Sequence, residues 1–204
     1  MRIRKLFGAL LLMVGIGILF LPFMEKRAYE KSQDEILKAF EKLGSFDASA
    51  QTLELPSSEE HKNGDDSSVE LLDGVRGLLQ IDKIDLEMAI FDGVSANALQ
   101  KGIGMIEPNK QFDANNIGLA GHRAVAHGKQ FNRLDELKLG DEMSVVTQEG
   151  TFHYVITDSY VVHQSEVSVL DEGDNPRLTL VTCTPVGSLH PPNRLIVQGE
   201  LKDK

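Results

Sequence analysis

The chain has 204 residues, enough for one ordinary domain with appendages. Its hydrophobic and charged fractions, 41% and 25%, are those of a globular protein and not of a disordered one. A formal net charge of -10 with no basic stripe argues against a nucleic-acid groove, and a single cysteine, Cys183, excludes an intramolecular disulfide.

Arg2, Arg4 and Lys5 precede an uncharged run from Leu6 to Phe23. At ~1.5 Å per residue this run spans ~27 Å, enough to cross a bilayer core. It ends Leu-Phe-Leu-Pro-Phe-Met, without the small-x-small site of a cleaved signal peptide. Residues 1–24 are therefore predicted to be a cytoplasmic tip and a single-pass transmembrane helix, with the positive cluster inside and the rest of the chain outside the cell membrane. Residues 25–68 are predicted to be a stalk and spacer. Ile36, Leu37, Phe40 and Leu43 recur at helical spacing within Tyr29–Leu43, whereas Gly44–Ser68 is rich in Ser, Glu, Asp and turn formers.

From residue 69 to 204 the pattern becomes strand-like. Ile84, Leu86, Met88 and Ile90 alternate with Asp85, Glu87 and Ala89. Ser95 is placed to cap a short helix over residues 95–101, and Asn116–Gly121 is a short apolar segment. Gln130–Leu137 reads as a helical turn. Met143–Thr147, Phe152–Val162, Leu178–Thr182 and Leu195–Val197 favour strands, with a hairpin turn at Glu149-Gly150. Seven or eight short strands with two or three small helices predict an all-β barrel or sandwich.

An unpaired thiol in an exported chain marks a reactive group. Cys183 ends a strand, because Pro185 cannot continue one. Attack on a carbonyl would need a base beside it. Of six histidines, His61 lies in the spacer, and His153 and His163 belong to the long strand or its end. His122, His127 and His190 stay open as partners. Arg194 and Arg123 compete for an anion-binding role. The histidines and the cysteine have no zinc spacing, and no Gly-rich phosphate loop is present. Glu107, Asp113, Glu166, Asp171, Glu172 and Asp174 are carboxylates from which a calcium site could be drawn, although they lack EF-hand spacing.

The segment Thr179-Leu180-Val181-Thr182-Cys183 resembles the TLxTC signature of sortases. Leu119-Ala120-Gly121-His122-Arg123 resembles the family's Gly-His segment, and Asn193-Arg194-Leu195-Ile196-Val197 its arginine-bearing strand. The resemblance implies a closed eight-stranded β-barrel and a cysteine transpeptidase. No cofactor is expected to be required, and a calcium bridge through Glu107, Asp113, Glu166 and Asp171 is a separate expectation drawn from their carboxylates. The resemblance further implies Cys183 as nucleophile, His122 as acid/base and Arg194 as oxyanion or substrate clamp, with Thr182 and Ala120 at the substrate. The implied partners are secreted proteins with an LPxTG-like motif and an amine of the peptidoglycan precursor. With no second span and no Asp-Pro-aromatic lid motif, the chain resembles the single-anchor classes A or D, and its short Cys183–Arg194 loop favours D. A papain-like protease is a poor alternative, since its cysteine precedes its histidine. A non-catalytic, membrane-tethered partner-binding β-domain is the other alternative.

Overall fold

The computed structural model describes residues 31, 33–40, 72–123, 130–188 and 190–202. The predicted anchor, most of the spacer, His61 and His127 lie outside the described residues. Among the described residues no helix is long and apolar enough to cross a membrane.

Residues 33–40 form a helix, α1, inside the predicted stalk. Then come β1 (Val75–Ile81), β2 (Leu86–Asp92), α2 (Ala96–Lys101), β3 (Ile103–Met105) and β4 (Asn116–Ala120). A 3-10 helix at Phe131–Glu136 leads to β5 (Glu142–Thr147) and β6 (Gly150–His163). Another at Ser168–Leu170 leads to β7 (Arg177–Thr184) and β8 (Asn193–Leu201). The eight strands close in the order β1-β2-β3-β4-β7-β8-β6-β5, a barrel and not a sandwich. Closure removes the free sheet edges that so many short strands would otherwise expose. The β2/β3 and β4/β7 pairs are parallel and the rest antiparallel.

Period-two alternation fills the barrel. Leu178 and Leu180 of β7 meet Ile117 and Leu119 of β4 and Leu195 and Val197 of β8 in one buried cluster. Fully buried Tyr154 joins it and donates its hydroxyl to the Phe112 carbonyl at 2.7 Å. Burial pushes its phenol well above the ordinary tyrosine range.

The alternation starting at Ile84 needs one correction. Asp82–Ile84 is a 3-10 turn and Asp85 is left-handed (φ 51), so the strand starts at Leu86. Asp tolerates that region better than most residues, and its use there stops the ladder. Ala89 of β2 points outward yet is fully buried, because α1 covers it. Ile36 and Phe40 of α1 pack with Leu78, Ala89, Phe91 and Ala98 in a second apolar cluster on the outside of the barrel. The described part of the stalk is thus docked onto the domain.

Candidate active site

The ends of three adjacent strands build the site. β7 stops at Thr184, before a proline that has no N–H for the ladder. Its inward residues are Leu178, Leu180 and Thr182, which leaves Thr179, Val181 and Cys183 on the outer face. Cys183 is a free, half-buried thiol. Across the antiparallel β7/β8 pair it stands directly opposite Arg194.

On the other side of β7, parallel β4 pairs Ala120 with Val181. The register holds past the end of β4. The Gly121 amide donates to the Val181 carbonyl at 3.2 Å, and Arg123 Nη1 donates to Thr184 Oγ1 at 3.0 Å. His122 follows two residues beyond the Ala120–Val181 pair, and it is exposed. Histidine, thiol and guanidinium thus lie at one end of the barrel on three neighbouring segments.

Local packing fixes the histidine backbone. A Cβ on Gly121 would sit 2.7 Å from the Phe131 ring, so only glycine lets the two approach. Thr182 Oγ1 donates to the Gly121 carbonyl at 2.8 Å.

Arg194 Nη1 donates to the carbonyls of Pro191 and Asn193, both at 2.9 Å, and Nη2 to Gln164 Oε1 at 3.3 Å. Guanidinium has five N–H donors, so these bonds leave two for another acceptor. Arg123 is used differently. It is 8% exposed and spans Thr184 and the Asp135 carboxylate at 2.8 Å, a strut between β7 and the Phe131–Glu136 turn.

A sortase-domain family model matches residues 79–202, more than half of the chain and the whole of this site. The chain belongs to the sortase family. Sortase D of Bacillus subtilis is 32% identical over 127 residues, covering 61% of this chain and 62% of that protein. Sortase A of Listeria monocytogenes is 24% identical over 210 residues, 98% of this chain and 92% of that one. A solved Clostridium perfringens sortase D5 transpeptidase superposes with a TM-score of 0.59 at 28% identity, covering 85% of this chain and 98% of that one. The chain is a sortase transpeptidase, an enzyme of the cysteine class on the eight-stranded barrel that its sequence predicted.

The other candidates sort clearly in this sortase. His153 is on the exposed face of β6 and His190 is exposed in the β7–β8 loop. His163 Nδ1 lies 2.8 Å from Ser165 Oγ. Ala120 lies on the outer face beside Val181, next to the thiol's strand. Thr182 is only 2% exposed and donates its hydroxyl to the Gly121 carbonyl, so it supports the histidine segment.

The calcium carboxylates do not converge. No group of three His, Cys, Asp or Glu suited to a metal occurs among the described residues. Glu166 accepts from the Ser168 hydroxyl at 2.6 Å, which holds its carboxyl below the usual range. Between the two acidic loops sits an ammonium instead. Lys110 Nζ is 2.6 Å from Glu107 and 2.9 Å from Glu172, and donates to the carbonyls of Asn116 and Leu170. Burial alone would lower its pKa, but the two carboxylates outweigh it and the net shift is upward. Glu172 is lowered by Lys110 and by the Asn116 amide.

A polar network under the β6–β7 loop was not anticipated from the sequence. Asn116 Nδ2 donates to the carbonyls of Val169 (3.1 Å) and Asp171 (2.9 Å), and its Oδ1 accepts from Thr179 Oγ1 at 2.7 Å. Gln198 Nε2 reaches Val169 and Thr179, both at 3.1 Å, and Tyr160 donates to Gln198 Oε1 at 3.0 Å. The signal was available: a buried amide or hydroxyl on an otherwise apolar strand must be satisfied by something nearby. A separate cavity of about 440 Å³ lies among Phe40, Arg76, Pro108, Phe112 and Gln148, and Cys183 does not line it.

Proposed function

We propose that Cys183 is the nucleophile, His122 its proton donor and acceptor, and Arg194 the oxyanion and substrate clamp, acting on an LPxTG-like sorting motif. The observation that supports this reading is the register of three adjacent strands: Cys183 stands opposite Arg194, and His122 follows two residues past the Ala120–Val181 pair of β4 and β7. The Cys183 thiolate attacks the carbonyl carbon of the Thr–Gly or equivalent bond. As the C–N bond breaks, the His122 imidazolium gives its proton to the departing amine, leaving a thioester on Cys183. An amine of the cell-wall precursor then attacks the thioester and His122 takes its proton. The C–S bond breaks and the thiolate returns. The two N–H groups that Arg194 keeps free suit the developing oxyanion, and such a donor is typically worth ~3–4 kcal/mol. Ala120, a small side chain on the outer face, leaves room for the motif beside the thiol.

The proposed cellular setting is a single-pass anchor at Leu6–Phe23 with the barrel outside the membrane, where secreted substrates and wall precursors meet. Likeness to both sortase A and sortase D proteins supports a class of A or D. The short connection between β7 and β8 favours D. Calcium enters only as a competitor of Lys110 for Glu107 and Glu172.

Mass spectrometry of the enzyme mixed with an LPxTG-like peptide, with and without a small amine, tests the mechanism. An acyl adduct on Cys183, converted by the amine into an amide product, is expected. Cys183→Ala forms no adduct, His122→Ala loses turnover, and His190→Ala keeps it. An acyl group on another residue, or only the hydrolysed acid in excess amine, would overturn the proposal.

A further inference from the structure

Gln130 adopts φ 47 and ψ -134, in the left-handed half of backbone space that favours glycine. It is one of two non-glycine residues with positive φ among the described residues. The side chain is 8% exposed, and its Nε2 donates to the Leu99 carbonyl of α2 at 2.8 Å. Its backbone forms a single antiparallel bridge with Arg123. The next amide, Phe131 N, donates to the His122 carbonyl at 3.1 Å, and the Phe131 ring fills the space a Cβ on Gly121 would need. The strained residue therefore sits where the chain returns to clasp the histidine segment on the side away from β7. α2 is itself braced from beyond by Gln33 of α1, which donates to the Lys101 carbonyl.

A glycine at 130 would relieve the backbone strain but forfeit the amide. Strain held at such a point by one buried side-chain hydrogen bond has a use only if the placement it enforces has one. We infer that Gln130 is a positioning residue for His122. Its amide, anchored on α2, holds the 130–131 backbone so that the Phe131 N–H and the Arg123 bridge fix the height of the imidazole beside Cys183. This inference rests on the proposed role of His122.

The test uses the full chain with Gln130→Gly, which removes both strain and amide, and Gln130→Met, which keeps length and strain but not the donor. His122→Ala is run beside them. Activity is read at a temperature where circular dichroism shows every variant folded. Gln130→Gly is expected to melt no lower than the parent, so any loss of rate is not a loss of fold. In both variants kcat falls roughly ten- to a hundredfold, the scale of a slightly misplaced catalytic group, while KM is unchanged. One limb of the parent's kcat/KM pH profile shifts in both, and the Phe131 amide exchanges faster with deuterium. An inactive His122→Ala beside Gln130 variants of unchanged kcat and pH profile overturns this inference alone. Turnover retained in His122→Ala overturns the proposed mechanism and this inference with it.

Discussion

Asn116→Ala removes the centre of the network that ties the β6–β7 loop to the barrel. The side chain is 1% exposed and makes three hydrogen bonds, donating to Val169 and Asp171 and accepting from Thr179. At a net ~1 kcal/mol each, their loss costs about 3 kcal/mol. The Thr179 hydroxyl, wholly buried, loses its acceptor and adds ~1–2 kcal/mol. For a domain of this size, the resulting ~4–5 kcal/mol corresponds to a fall in Tm of roughly 12–20 °C. The loop also forms a wall above the outer face: a Cβ on Gly118 of β4 would lie 2.6 Å from Leu170. Below the new Tm, KM for a sorting peptide should therefore rise more than kcat falls. Thermal melts, peptide kinetics and hydrogen exchange over residues 163–176 measure the three effects. Thr179→Val breaks the same central bond, so the double variant should lose less than the two single losses added together. A Tm drop under ~3 °C, or strict additivity, would show that the network carries no such load.

Arg194→Lys should cost at least an order of magnitude in kcat/KM, because an ammonium cannot reproduce the fork that bonds Pro191, Asn193 and Gln164 while keeping donors free. Arg123→Lys should instead lower Tm with little change in kcat, since its donors hold Thr184 and Asp135; the reverse ranking would move the clamp to Arg123. The Lys110 bridge should give a pH window. Glu172 is depressed, so its contribution is present above the ordinary carboxylate value and lost as pH falls through its folded one; Lys110 is raised, so its share is present up to the ordinary lysine value and lost as pH rises through its folded one. The Tm difference between parent and Lys110→Met should thus be flat from about pH 5 to about pH 10 and shrink outside it. Calcium to millimolar levels should speed Lys110→Met more than the parent, and an equal effect on both would separate the metal from these carboxylates. Deleting residues 1–71 uncovers Leu78, Ala89 and Phe91; with Ile36 and Phe40 worth at most ~3–6 kcal/mol together, the melt should fall, whereas a deletion ending before residue 31 should leave it unchanged.

Much of this was written in local patterns. The alternation in Phe152–Val162 and Leu178–Thr182 marks strands because a half-buried strand repeats every second residue. Ser95 announces its helix, and its hydroxyl does accept the Ala98 amide at 3.1 Å. β1 and β3 escaped notice for physical reasons. Val75–Ile81 is buried on both faces over much of its length, by the core within and α1 without, so its apolar run has no clear period. Ile103–Met105 is too short to have a period at all. The docking of α1 was hidden for a related reason, since its apolar stripe is equally that of a free stalk helix. The bond from Thr182 to Gly121 was hidden as well, because it joins two segments far apart in the chain.

What no local pattern contained is the convergence of the site, and topology supplies it. β4 and β7 run parallel, so both end at the same rim, and β8 runs antiparallel to β7, so it begins there. A residue just past β4, one at the end of β7 and one at the start of β8 must then meet, whatever their distance along the chain. Meeting on one face is a further condition, since a slip of one residue in β7 would turn Cys183 into the barrel and Thr182 out. Two features resist that slip. Leu178 and Leu180 are fully buried in the common core, and the Thr182 hydroxyl finds its acceptor on Gly121 only in the observed register. The same threonine thereby fixes the height of the carbonyl one residue before His122. Motif spacing in the sequence records which residues take part, while strand direction and register decide that they face one another.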